Sequence, residues 1–127
     1  MTNKQTILVV DDERLNLVLF ERIFSKKYRV LTAISGEAGI LQMEKNPDID
    51  IVISDMQMPG LNGIEFIEQV KPKNSGTHYF ILTGYEINEQ IKHALEEGTI
   101  EHYFQKPFDK EKIEAILNNL EQGNSKS

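Results

Sequence analysis

Short apolar runs alternate along the chain with stretches of helical spacing, and this alternation predicts an α/β fold. A short run of β-branched or aromatic residues is typical of a strand buried in a sheet. The runs predicted as strands are residues 7–10, 28–33, 51–53, 79–82 and 101–105. The stretches predicted as helices are residues 14–24, 36–46, 64–70, 87–97 and 110–120. Strands and helices in this order build βαβ units and a mostly parallel sheet with right-handed crossovers.

The helix ends and helix faces follow from particular residues. We expect Ser35 and Asp109 to cap the starts of the second and fifth helices, and Gly98 to close the fourth. Apolar residues three or four positions apart are expected to face the core. In the first two helices these are Leu15, Val18, Leu19, Ile23, Ala38, Ile40 and Leu41.

Polar side chains follow four of the five predicted strands, at the point where each strand ends. They are Asp11 and Asp12, Asp55, Thr83 and Lys106. Ligands of parallel sheets bind beyond the carboxyl ends of the strands, and neighbouring strands lie only ~4.8 Å apart. The sequence therefore predicts that these side chains meet in one pocket.

Several carboxylates in one pocket repel each other and lose hydration, and a divalent cation relieves that cost. Oxygen ligands with room for water suit Mg²⁺. With the ion present, Asp55 is the candidate nucleophile that becomes an acyl phosphate. Lys106 would neutralise the new phosphoryl oxygens, and the Thr83 hydroxyl would donate a hydrogen bond to one of them.

Composition excludes several other classes of function. The chain has 127 residues, no cysteine and a net charge of −6, so it has no thiol chemistry and no basic stripe for direct nucleic-acid binding. It contains no apolar run of the ~20 residues that a membrane span requires, and its first residues lack the apolar core of a signal peptide. We expect a cytoplasmic protein.

Five motifs occur in order on the predicted elements. They are Val9-Val10-Asp11-Asp12-Glu13, Ile53-Ser54-Asp55-Met56-Gln57-Met58-Pro59-Gly60, Gly63, Thr83-Gly84 and Tyr103-Phe104-Gln105-Lys106-Pro107-Phe108. Together they closely resemble the CheY-like receiver domains of two-component response regulators. The resemblance covers about residues 6–121 and implies a single receiver domain over residues 1–127. It also implies a flavodoxin-like (βα)5 three-layer sandwich, with a five-stranded parallel sheet in the order 2-1-3-4-5.

The resemblance assigns roles around the predicted pocket. Asp55 is the expected acceptor of a phosphoryl group from a sensor histidine kinase or a histidine phosphotransfer domain. Asp12, Asp55 and the Gln57 carbonyl are expected to bind Mg²⁺, with Mn²⁺ as a substitute, and Asp11 is expected to act through water. Such a chain is a phosphoacceptor switch that catalyses only its own phosphorylation and dephosphorylation, rather than an enzyme with an external substrate.

The resemblance also predicts how the switch is read. Thr83 and Tyr103 are the expected coupled pair, and Lys106–Pro107 is the expected cis peptide bond. Gln57 and Tyr85 hold positions that tune water access, and we hypothesise that Tyr85 shields the acyl phosphate. The signalling face would be the fourth helix, fifth strand and fifth helix.

The resemblance further implies the protein's partners. Kinases or phosphotransfer domains dock on the first helix in this family. A downstream output domain or protein, and a phosphorylation-dependent dimer, complete the expected interactions. An alternative is that the chain is the receiver module of a larger regulator with a C-terminal output domain, either an HD-type phosphodiesterase or a DNA-binding domain.

Two other kinds of protein share parts of this pattern. Phosphatases of the haloacid dehalogenase type also use an aspartate nucleophile with Mg²⁺, but their nucleophile follows the first strand in an Asp-x-Asp pattern. Here Asp11 and Asp12 are adjacent. A flavodoxin-like FMN binder needs a phosphate loop rich in Ser, Thr or Gly at this place, where the acidic residues would repel the phosphate.

Overall fold

The computed structural model describes the backbone of residues 4–84 and 86–123, with side chains up to residue 120. Strands and helices alternate along the chain as predicted. The strands are β1 (Gln5–Val10), β2 (Tyr28–Ala33), β3 (Ile51–Asp55), β4 (His78–Thr83) and β5 (His102–Gln105). The helices are α1 (Arg14–Phe24), α2 (Gly36–Lys45), α3 (Gly63–Val70), α4 (Glu89–Glu96) and α5 (Lys110–Gly123), with a 3₁₀ turn at Lys71–Lys73.

All five strands form one parallel sheet in the order β2-β1-β3-β4-β5, which confirms the predicted fold class. Helices α1 and α5 pack on one face of the sheet, and α2, α3 and α4 pack on the other. Strand β3 shows the alternation that places side chains on the two faces. Ile51 and Ile53 belong to the α1/α5 side of the core, whereas Val52 belongs to the α2–α4 side.

The predicted ends of the helices are largely confirmed. The Ser35 side chain accepts a hydrogen bond from the Ala38 backbone N–H, 3.0 Å away, and so caps α2. Asp109 accepts from the first turn of α5, and Gly98 follows α4 with a positive φ of 78°. Helix α4 begins two residues later than the predicted residue 87, because the Asn88 side chain caps its first turn.

The predicted buried face of α1 is wrong for three of its four residues and holds for Ile23. Leu15, Val18 and Leu19 are 68%, 44% and 42% exposed. The residues that α1 buries are Leu17, Phe20 and Phe24, and Ile23 is half-buried beside them. Both sets of residues have helical spacing, so spacing alone does not decide which set faces the sheet. The larger aromatic set faces it, and the rings of Phe20 and Phe24 stack with their centroids 4.3 Å apart.

In α2 the prediction is wrong for Leu41, which is 56% exposed, while Ala38 and Ile40 are half-buried as expected. The buried face is formed instead by Gly36, Gly39 and Met43. The glycines let α2 lie close to α3, since a Cβ atom at Gly39 would come within 2.8 Å of the Phe66 ring. A pattern of apolar side chains does not reveal a face built from glycine.

Within the described part of the chain, no helix has both the length and the apolar character needed to cross a bilayer.

Helix α3 starts directly against the end of β3, and this contact generates a prediction. A Cβ atom at Gly63 would lie 2.4 Å from the Asp55 backbone oxygen, whereas one at Gly76 would meet nothing within 4 Å. Because backbone cannot move aside as a flexible side chain does, Gly63→Ala should lower the free energy of unfolding by about 1–3 kcal/mol. Urea denaturation measures this, and Gly76→Ala is the control, expected within about 0.5 kcal/mol of wild type. Equal stability of the two variants would contradict the packing argument.

Candidate functional site

Three carboxylates converge where β1 and β3 end. Asp11 and Asp12 follow β1, Asp55 is the last residue of β3, and one oxygen of each lies within 4.8 Å of the others. Asp11 and Asp55 are buried, at 1% and 4% exposure, and Asp12 is exposed. The predicted acidic pocket is therefore present. Its Asp11 and Asp55 side chains are buried, and its Asp12 side is open to solvent.

Lys106 points into the same pocket from the residue after β5. Its Nζ lies 3.1 Å from Asp55 Oδ2 and 3.7 Å from Asp11 Oδ2. The Lys106–Pro107 peptide bond is cis, as predicted. The structure thus brings together, around Asp55, the acids and the amine that the sequence placed at the ends of separate strands.

Sequence reasoning missed one side chain that contacts the pocket. The Asn16 amide Nδ2, in the first turn of α1, donates to Asp11 Oδ2 at 3.2 Å and to Glu13 Oε1 at 2.9 Å. The Glu13 backbone N–H donates to the other Asp11 oxygen at 2.9 Å. The sequence shows only an asparagine about one helical turn after two adjacent aspartates. That pattern also occurs where the asparagine faces solvent, so it does not indicate a contact with the pocket.

The electrostatics of Asp55 reflect its crowded position. Burial, reinforced by the Asp11 charge, raises the pKa of the Asp55 carboxyl to about 6, against the opposing effects of Lys106 and the Gln57 backbone N–H. Burial alone would lower the pKa of Lys106, but the hydrogen bond and charge of Asp55, with Asp11 and Glu13, raise that pKa above its ordinary value. One lysine therefore compensates the buried acids only in part.

The donor set fits a hard divalent cation. Carboxylate oxygens are the ligands that Mg²⁺ prefers, and the exposed Asp12 leaves an open side on which the ion can keep water. A cation here would also remove the repulsion between Asp11 and Asp55. Gln57 is exposed just beyond β3, and its carbonyl as a further ligand stays a prediction.

Thr83 and Tyr103 lie on the face of the sheet opposite to that of Asp55. Thr83 ends β4 and pairs with Gln105, while Ile81 pairs with Tyr103. Residues paired across neighbouring strands, and alternate residues along one strand, point to the same face of a sheet. Ile81 belongs to the α2–α4 side of the core, so the Thr83 and Tyr103 side chains lie on that side too. Tyr103 is half-buried there against the core. The proposed shielding residue, Tyr85, lies outside the described residues.

The raised pKa of Asp55 predicts how stability depends on pH. The Asp55 carboxyl keeps its proton up to about pH 6 in the native state, but only up to about pH 3.8 in the unfolded chain. The free energy of unfolding therefore falls as the pH rises from about 3.8 to about 6. At ~1.4 kcal/mol for each pKa unit, Asp55→Asn should gain up to about 3 kcal/mol over wild type near pH 7.5 without divalent ions, and little near pH 4. Urea denaturation at both pH values tests this.

The exposed-acid control, Asp48→Asn, should differ from wild type by less than about 0.5 kcal/mol at either pH. An Asp55→Asn variant less stable than wild type at neutral pH would contradict the argument.

Comparison with known proteins identifies the family. A family model described as the response regulator receiver domain matches residues 7–118. The hydrogenase transcriptional regulatory protein HoxA of Cupriavidus necator is 32% identical over 85% of this chain, which spans only 22% of HoxA. The sporulation initiation phosphotransferase F of Bacillus subtilis is 32% identical over 86% of this chain and 87% of that protein.

A solved structure is similar over almost the whole chain. The signal receiver domain of an HD domain-containing protein from Pseudomonas fluorescens matches with a TM-score of 0.83 and 27% identity, covering 97% of this chain and 99% of that one. The family model, the relatives and the fold agree with one another, and they decide against the phosphatase and FMN-binding alternatives. The chain belongs to the response regulator receiver domain family of two-component signal transduction systems.

Proposed function

We propose that Asp55 accepts a phosphoryl group from the phosphohistidine of a sensor kinase or phosphotransfer domain. The observation that carries this proposal is the position of the Asp55 carboxylate, which is buried beside Asp11 and Lys106 Nζ at the rim of the sheet. Receiver domains are generally switches rather than enzymes, so the chemistry of this chain would be confined to its own phosphorylation and dephosphorylation.

Each side chain of the pocket has a defined task in this reaction. An Asp55 oxygen forms a bond to phosphorus while the bond from phosphorus to the donor's imidazole nitrogen breaks, and that nitrogen keeps the electron pair. Lys106 moves with the new negative charge and pairs with a phosphoryl oxygen. Asp12, Asp55 and the Gln57 carbonyl would hold Mg²⁺, with Asp11 acting through water. When bound, the ion neutralises the carboxylates and the phosphoryl oxygens.

Two connections lead from the pocket toward the proposed signalling face of α4, β5 and α5. Thr83, at the rim, and Tyr103, behind it, share one face of the sheet, so a movement of Thr83 toward a phosphoryl group would open space for the Tyr103 ring. The Asn62 side chain, which caps α3 just after the Asp55 loop, donates to Gln90 Oε1 of α4 at 3.2 Å. An added charge at Asp55 would therefore act on α4 by way of Asn62 and on β5 by way of Thr83 and Tyr103.

Helix α1 offers a docking surface for the phosphoryl donor. Leu15, Val18 and Leu19 are the exposed apolar residues of this helix. Beside them lies a groove of about 470 Å³ whose lining includes Leu19, Lys106 and Phe108. Contiguous exposed apolar residues mark interaction sites, and this groove reaches the lysine of the acidic pocket. A helical donor domain seated here would bring its histidine to the open side of the pocket.

The output of the switch is proposed from the relatives. Because this chain spans 22% of HoxA but 87% of sporulation initiation phosphotransferase F, both a larger regulator and a single-domain relay are compatible with the similarity. A C-terminal output domain of HD-type or DNA-binding character is the alternative to a separate target protein. Cytoplasmic location and phosphorylation-dependent dimerisation stay predictions.

Phosphorylation by a small-molecule donor tests the proposed chemistry. With acetyl phosphate and Mg²⁺, the intact wild-type chain should gain the mass of one phosphoryl group, because the pocket itself supplies the catalytic groups. Asp55→Asn should gain none, and chelation of Mg²⁺ should prevent the gain in wild type. Asp48→Asn, which alters an exposed acid, should react like wild type. Unchanged phosphorylation of Asp55→Asn would refute the assignment.

Phosphotransfer from a protein donor tests the docking surface. Truncating an exposed leucine at the centre of an interface typically costs about 1–2 kcal/mol, so Leu15→Ala should slow transfer from the kinase that phosphorylates wild type by roughly 5–30-fold. Its reaction with acetyl phosphate should not change. Leu41→Ala, at a leucine that is 56% exposed on α2, is the matched control and should keep the wild-type rate with both donors. Equal slowing by the two leucine variants would argue against α1 as the docking helix.

A further inference from the structure

The amide of Asn16 joins two carboxylates that would otherwise repel each other. The Nδ2 group donates to Asp11 Oδ2 at 3.2 Å and to Glu13 Oε1 at 2.9 Å. Asn16 is half-buried in the first turn of α1, while Glu13 is exposed. The Asn16 amide therefore holds the exposed Glu13 carboxylate close to the buried Asp11 carboxylate.

The ordinary roles of these residues do not account for the bridge. Glu13 occupies the N-cap position of α1, yet its side chain makes no capping hydrogen bond. Asparagine is a poor helix former, and a long or apolar residue would suit this position in α1 better. Glu13 and Asn16 line the same groove as Lys106, so the Glu13 carboxylate lies close to the acidic pocket.

The bridge also fixes the orientation of Asp11. Both Asp11 oxygens are engaged, Oδ1 by the Glu13 backbone N–H at 2.9 Å and Oδ2 by Asn16. Asp11 Oδ2 also lies 3.7 Å from Lys106 Nζ, which is nearer to Asp55, at 3.1 Å.

We propose that Asn16 is a positioning residue of the cation pocket, which orients Asp11 and retains the Glu13 carboxylate at the pocket rim as a further anionic group. This inference rests on the proposed function of the pocket, because it concerns how the same acids bind Mg²⁺. Mg²⁺ dehydrates reluctantly, so carboxylates beyond its direct ligands act on it through water, and their orientation affects affinity.

Calorimetric titration of the unphosphorylated protein with Mg²⁺ alone tests the proposal without any phosphoryl donor. Asn16→Leu keeps the approximate size but removes both donors, and it should raise the dissociation constant for Mg²⁺ by at least about 10-fold. Glu13→Gln should raise it by a smaller factor. In the double variant the two effects should not multiply, because the Glu13 effect depends on Asn16.

The control is Asn118→Leu, which alters a half-buried asparagine on α5 whose side chain accepts from Lys27, far from the pocket. It should bind Mg²⁺ like wild type. Urea denaturation without divalent ions separates the two kinds of effect, since a merely structural role would lower the stability of Asn16→Leu and leave its Mg²⁺ affinity unchanged. That result would overturn the proposal.

Two further outcomes remain decisive. Should Asn16→Leu not fold, Glu13→Gln, at an exposed side chain, carries the test, and wild-type Mg²⁺ affinity in that variant would count against the proposal. If wild type takes up a phosphoryl group and binds Mg²⁺ while Asn16→Leu binds equally well, only this inference fails. If wild type does not bind Mg²⁺, the proposed function fails with it.

Discussion

Two buried carboxylates, Asp55 and Asp11, crowd beside a single lysine, and this crowding determines the properties of the pocket. Lys106 offsets the cost of burying these charges only in part, so the pKa of Asp55 remains raised to about 6. Such an arrangement favours the arrival of positive charge, and a divalent cation that binds oxygen is the simplest source of it. The pocket is therefore less stable by itself than it would be when loaded, as expected of a site held ready for a reaction.

The sheet is what makes this arrangement possible. Strands β1 and β3 are neighbours although α1, β2 and α2 separate them in sequence, so Asp11 and Asp55 reach the same edge. Both strands are buried on both faces, and their apolar packing resists the repulsion between the acids. Gly63 then lets α3 begin against the Asp55 backbone, so the loop that carries Gln57 has ordered structure at both of its ends.

The alternating pattern of the sequence predicted the parallel sheet and the acidic pocket, because the carboxyl ends of parallel strands meet at one edge of the sheet. The order of the strands came from the resemblance to receiver domains. The pattern mispredicted the buried face of α1, since Leu15 and Phe20 belong to two apolar sets with the same period, and spacing carries no information about which set faces the sheet. It missed the glycine face of α2 because Gly39 packs through the absence of a side chain. Asn16 was missed because its role depends on three-dimensional distances to two acids, which no sequence spacing specifies.

The corrected orientation of α1 gives this helix two contacts with the rest of the protein and one exposed apolar face. Phe20 and Phe24 anchor it in the core, Asn16 reaches the acidic pocket, and Leu15 and Leu19 face solvent beside the groove that leads to Lys106. Because successive residues of a helix are rigidly related, a partner that binds the exposed leucines acts on the same body that carries Asn16. Docking of a phosphoryl donor and orientation of Asp11 would then be linked through one helix.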